Sequence, residues 1–145
     1  MTPYPFARPQ KRRALWISAA CTVAFAVAGN LLVGEPLSIW YAGLTKPWFL
    51  IPIWLFVIVG LLYYGLMGVI LYRIQCHMAD RQKRRLLFDV GLVVMTLNEL
   101  WNYLFFGWQS TYYGFVGMVG FWVVVTAWLL LLWQRERVAA RLLGI

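Results

Sequence analysis

LNELWNYLFFG, residues 97–107, is hydrophobic enough to belong to a membrane helix, yet it carries two asparagines and a glutamate. Asn98, Trp101, Asn102 and Phe105 fall at i, i+3, i+4 and i+7, so a helix puts all four on one face. Hydrocarbon offers the amides no partners, and each unmet polar group there costs roughly several kcal/mol. The stripe must therefore look inward, at another helix or at something bound between helices. A polar and aromatic interior stripe is what a ligand site inside a membrane bundle requires.

The surrounding chain supports a membrane setting. Of its 145 residues 63% are hydrophobic and 12% charged, more apolar surface than a soluble domain of this length can hide. Ala14 to Gly34, Pro47 to Tyr72 and Leu100 to Gln134 carry no charge at all. About 20 apolar residues cross a bilayer, so the third run is too long for one helix, and GWQSTYYG (107–114) divides it. The expectation is an all-α integral membrane protein, one domain over 1–145, with four transmembrane helices at about 14–33, 51–73, 86–106 and 112–133.

Basic residues orient the bundle. All but Lys46 of the thirteen precede the first span, lie between the second and third, or follow the fourth. The positive-inside rule then puts both termini in the cytoplasm. The same distribution accounts for the net charge of +8 through topology and anionic lipid, with no nucleic-acid partner. KRR followed by an apolar stretch and Ala26-Val27-Ala28 resembles a cleavable signal peptide. The stretch continues through Leu31, Leu32 and Val33, and Ala20, Ala24 and Ala28 form a small-residue ridge suited to helix packing. A retained helix is expected.

Chemistry-bearing residues are few. Cys21 falls within the membrane, while Cys76 and His77 share an expected cytoplasmic loop, so neither a disulfide nor a metal site is expected. There is no phosphate loop, nucleophile elbow or paired-carboxylate arrangement, and nothing announces an enzyme. Asp89, four residues after Arg85, is read as half of an interfacial ion pair. Glu99 lies near the middle of its span, where a charge costs at least ~2.5 kcal/mol. Either it is protonated and hydrogen-bonded to Thr96 or Tyr103, or it faces a wet cavity; the expectation is that it borders the ligand cavity. Trp16, Trp108 and Trp133 sit at span ends as an aromatic belt, whereas Trp101 and Trp122 are deeper. Pro47 and Pro52 stiffen WYAGLTKPWFLIPIW (40–54), an aromatic segment suited to be a lid over the bundle mouth.

That segment resembles the first-loop signature of the TspO/MBR (tryptophan-rich sensory protein, translocator protein) family, approximately WY-x-x-L-x-K-P-x-W-x-P-P-x-W. Trp40, Tyr41, Leu44, Lys46, Pro47, Pro52 and Trp54 match it, and Tyr64 matches a tyrosine of the next helix. LNELWNYLFFG is similar to the third-helix signature N-x-x-W-x-x-x-F-F-G through Asn98, Trp101, Phe105, Phe106 and Gly107. The resemblance implies a receptor-like binder of a hydrophobic small molecule, with no obligatory cofactor but a porphyrin or haem-like ligand. It implies pocket or lid roles for Trp40, Tyr41, Trp48, Trp54, Asn98 and Trp101, beside Asn102 and Phe105 on the same stripe. The expected location is a bacterial inner (plasma) membrane.

Departures from the family shape the remaining expectations. Relatives have a fifth helix, whereas QRERVAARLLGI (134–145) is too short and too charged to span, so the bundle is expected to lack its last helix. Gly60 stands where relatives often carry tryptophan, widening the cavity or emptying it. Gly114, Gly117 and Gly120 form a shallow face on the fourth span, suited to packing within the bundle or to a homodimer or larger membrane complex. The alternative to a ligand binder is a structural or regulatory subunit that has lost the pocket and docks helices. A proton-coupled exporter would rest on Glu99 and the span count alone.

Overall fold

A computed structural model of the chain describes residues 8–48 and 52–144. Phe49, Leu50 and Ile51, which belong to the expected lid and the start of the expected second span, lie outside the described residues, as do Met1–Ala7 and Ile145. Helix α1 (Arg8–Pro36) runs on as a π-helical segment, Leu37–Tyr41. Pro36 has no N–H for the α-helical ladder, and the chain widens just where that bond is missing. Helix α2 (Ile53–His77) begins directly after Pro52. Helix α3 (Arg81–Asn102) is capped by Asp80, whose carboxylate accepts from the Gln82 and Lys83 N–H groups, and it too ends in a π-helical segment, Tyr103–Gly107. Helix α4 (Thr111–Arg135) is capped by the Ser110 hydroxyl. A short helix, α5 (Arg137–Leu143), closes the described chain.

All described secondary structure is helical, and α1, α2 and α4 are long and apolar enough to cross a membrane. Helix α3 is less apolar because Arg81, Lys83, Arg84 and Arg85 fill its first turns. It is nonetheless the centre of the arrangement, packing against α1, α2 and α4 through Leu87, Gly91, Val94 and Met95. Gly91 permits the closest approach: a Cβ there would lie 2.8 Å from Leu71 and 2.9 Å from the Trp128 ring. Trp128, fully buried, fills that space and donates its indole N–H to the Leu87 carbonyl at 3.1 Å.

The core is lopsided. Most of its largest buried side chains, Met67, Ile70, Leu71, Ile74, Trp128 and Leu132, lie toward the basic end of the bundle, while Phe106 is buried at the other. Helix α5 seals that end by packing on α2 and α4 with Ala139 and Ala140 fully buried. Glu136 clamps it: the carboxylate accepts from Arg73 at 2.9 and 3.3 Å and from the Ala139 N–H.

Several local expectations need correction. Cys76 and His77 are the last residues of α2, not loop residues, and Cys76 is buried. The face of α1 that packs is Ala14, Ser18, Thr22 and Gly29; Ala20 and Ala24 are exposed. The reason is polar: Gln75 of α2 donates to the Ser18 hydroxyl at 2.8 Å, and Thr22 lies against Gly68, so α1 turns its small polar groups inward. Gly114 and Gly117 are filled from within the chain, by Phe105 and by Leu104 with Trp101. Only Gly120 of that stripe faces open space. Arg85 and Asp89 do pair, at 3.7 Å, on an exposed surface.

Candidate functional site

Away from the packed end, α1, α2 and α3 converge on Gly29. A Cβ at this position would lie 2.7 Å from a Glu99 carboxylate oxygen and would collide with the Tyr64 hydroxyl. In the space it leaves, the Glu99 carboxylate accepts three hydrogen bonds. Tyr64 donates to Oε1 at 2.7 Å, the Asn98 amide to Oε1 at 3.2 Å, and the Asn102 amide to Oε2 at 2.9 Å. Neutral donors thus replace the water that hydrocarbon would strip away, and no lysine or arginine among the described residues takes part.

Neither expected partner of Glu99 is used. Thr96 donates to the Leu92 carbonyl at 2.9 Å, and Tyr103 packs edge-on against Trp108 at 5.9 Å. Glu99 itself does not line the neighbouring cavity; it grips three residues that do.

This cavity measures about 320 Å³. Asn98, Trp101 and Asn102 form its α3 wall. Opposite them stand Gly29 and Asn30 of α1, with Phe56, Gly60 and Tyr63 of α2 alongside Tyr64. A side chain at Gly60 would meet nothing within 4 Å, so its hydrogen is part of the reason for the space. The Tyr63 hydroxyl is buried and has no hydrogen-bond partner among the described residues. Trp101 is held in place by its indole N–H, which donates to the Gly114 carbonyl at 2.9 Å.

Phe105 does not share the wall with the other three stripe residues. The π-helical segment begins at Tyr103 and inserts an extra residue per turn, which rotates Phe105 out of the α-helical register. It stacks on Trp101 with ring centroids 5.6 Å apart and seats against Gly114. Above it lies an aromatic cluster built by the first π-helical segment. Trp40 meets Phe105 at 5.3 Å, and Tyr41 packs 6.0 Å from Phe106 and 6.4 Å from Phe56, itself a wall residue. Lys46 sits 4.8 Å over the Tyr41 ring and caps the Ala42 carbonyl.

The other two expected lid residues stand elsewhere. Trp48 is 95% exposed and Trp54 63% exposed, and neither lines the cavity. Among the described residues no three of His, Cys, Asp and Glu gather as a metal site. Gly29, Phe56 and Tyr63 were not singled out from the sequence. The one signal for them was Gly29-Asn30, a small and polar pair interrupting an apolar helix.

Against known proteins, a sequence model of the TspO/MBR family matches residues 17–144. The tryptophan-rich protein TspO of Archaeoglobus fulgidus is 30% identical over 129 residues, which cover 87% of this chain and 81% of that protein. No solved structure matches this one.

Proposed function

The chain belongs to the TspO/MBR family of integral membrane proteins, and on that premise we propose that it binds a flat hydrophobic ligand in a sensory or regulatory role. The ligand class is a porphyrin or related tetrapyrrole, held between α1, α2 and α3. What carries the reading is the cavity of about 320 Å³ with the Trp101 indole and two asparagine amides on one wall. An aromatic macrocycle stacks on an indole and offers polar atoms to amides. The volume is at the lower end of the roughly 300–1,000 Å³ usual for ligand sites. One edge of the macrocycle enters, and the rest leans on Trp40 and Tyr41.

We place four helices across the membrane, with both termini on the basic, cytoplasmic side. Helix α3 joins the other three because its basic residues are concentrated in its first turns, it packs on α1, α2 and α4, and Val93 and Leu100 on its outer side are exposed apolar residues. The proposed role needs binding only, with no catalytic residue and no resident cofactor.

The test is a titration of the purified protein with protoporphyrin IX, following tryptophan fluorescence, beside Trp101→Phe and Asn98→Ala. Saturable quenching in the micromolar range, weakened several-fold in both variants, is expected. Non-saturating quenching, identical in all three, would mean partitioning into detergent and would end the proposal.

A second reading, a subunit that docks helices, is favoured by one observation. Above α5 a further groove of about 320 Å³ runs along α2, lined by Val59, Leu62, Leu66 and Leu143 among others. Helix α2 and helix α4 make no direct backbone approach there among the described residues. Failure of the titration together with co-purification of a larger membrane complex would favour that reading.

A further inference from the structure

Glu99 is more than a buried oddity, because it fixes what its neighbours can offer. A carboxylate accepts and does not donate, so an amide beside it must turn its NH2 toward it. Asn98 and Asn102 both do so, at 3.2 and 2.9 Å. Their amide oxygens are what remains for the cavity, and among the described residues no donor satisfies either one. The Tyr64 hydroxyl hydrogen is likewise committed to Glu99, at 2.7 Å. An asparagine in a ligand site ordinarily presents either a donor or an acceptor by flipping its amide. Here the flip is blocked twice by the same carboxylate.

The surroundings add a charge argument. Among the described residues no lysine or arginine pairs with Glu99, and the walls supply aromatic faces at Phe56, Tyr63 and Trp101. Acceptor oxygens and aromatic faces both favour hydrogen-donating groups, cationic nitrogens among them. On the α3 wall an ionised ligand carboxylate would meet acceptors instead; the amide that Glu99 does not orient is that of Asn30, across the cavity.

We propose that the cavity selects flat apolar ligands carrying an N–H donor or cationic nitrogen, a specificity set by Glu99 acting through Asn98 and Asn102. The proposal rests on the binding-site reading above and narrows it. A tetrapyrrole enters with pyrrole or lactam N–H groups first and its carboxylates toward the mouth, where Lys46 is the basic residue among those described. Glu99 is a positioning residue: it holds the amides without lining the cavity.

The test uses two probes with one ring system, 1-pyrenemethylamine and 1-pyrenecarboxylic acid. Each is titrated at neutral pH into the purified protein in uncharged detergent, following energy transfer from tryptophan to pyrene. The amine is expected to bind saturably and at least tenfold more tightly than the acid. That preference opposes the chain's net charge of +8, which by itself would attract the acid. Glu99→Gln should bring the ratio to within about threefold of unity by releasing both amides, a change that a merely structural role would not produce. If Glu99→Gln does not fold, Asn98→Ala serves, and it should weaken the amine several-fold while leaving the acid unchanged. Saturable binding of both probes with equal affinity would overturn the donor selectivity and leave the cavity reading standing. Saturable binding of neither probe would overturn both.

Discussion

Gly29 decides whether the polar centre can exist at all. Its missing side chain leaves the volume occupied by the Tyr64 hydroxyl and the Glu99 carboxylate, neither of which is the free end of a mobile chain once hydrogen-bonded. Gly29→Ala should therefore destabilise the protein by about 1–3 kcal/mol, the usual cost of overpacking. Thermal unfolding in detergent, with Gly34→Ala as the control, checks this, since a Cβ at Gly34 meets nothing within 4 Å. An unchanged midpoint for Gly29→Ala would mean that α1 does not approach α3 as described. At this scale the sequence was half legible. The spacing of Asn98, Trp101 and Asn102 put them on one face because helical periodicity is local. The partner of Glu99 was not legible, because Tyr64 lies 35 residues away and only the packing of α2 on α3 brings it near. The local candidates, Thr96 and Tyr103, lost to a backbone carbonyl and to the π-helical segment.

Among the elements, α5 carries the clearest pH dependence. Burial pushes the Glu136 carboxyl up, but the Arg73 guanidinium and the Ala139 N–H pull it down further, so the net shift is below the ordinary glutamate value. A carboxyl lowered by folding contributes stability above its unfolded value, and that contribution is lost as pH falls through the folded one. Docking of α5 should accordingly hold at neutral pH and loosen below about pH 4. Hydrogen exchange over residues 137–143, corrected for the intrinsic rate, should show protection falling in that window. Arg73→Gln removes the main pull below the ordinary value and should flatten that acid-dependent loss. Protection independent of both would mean that Ala139 and Ala140 alone hold the helix. Three of the long helices were legible from uncharged runs, and α3 from its polar stripe. Helix α5 was not: its stretch, 134–145, was read only as too short and too charged to span, and no helix of seven residues was expected there. Its small buried face against α2 and α4 has no periodic signature at that length.

Across the whole molecule, packing and binding occupy opposite ends. Trp128, Gly91 and α5 make the basic end dense, while Gly29, Gly60 and the Glu99 cluster leave space toward the other. A rigid base holds Trp101 and the asparagines in place, as a preformed site requires. The membrane character and family were readable from composition and two motifs. The cavity was legible in part, through its α3 stripe and Gly60; Gly29 and the α1 and α2 walls were not, since they depend on two helices meeting a third. The lid was read as one segment, but the structure divides it: Trp40 and Tyr41 join the aromatic cluster, while Trp48 and Trp54 are exposed. The most direct measurement is therefore a Soret-band titration with protoporphyrin IX of the wild-type protein and Gly60→Phe. Gly60 lines the cavity and nothing lies within 4 Å of a Cβ at that position, so the backbone there has room for a side chain that takes up ligand space. The account predicts saturable binding by the wild type and at least a tenfold loss in the variant, with an unchanged unfolding midpoint. Equal saturable binding by both would place the ligand outside this cavity and contradict the account.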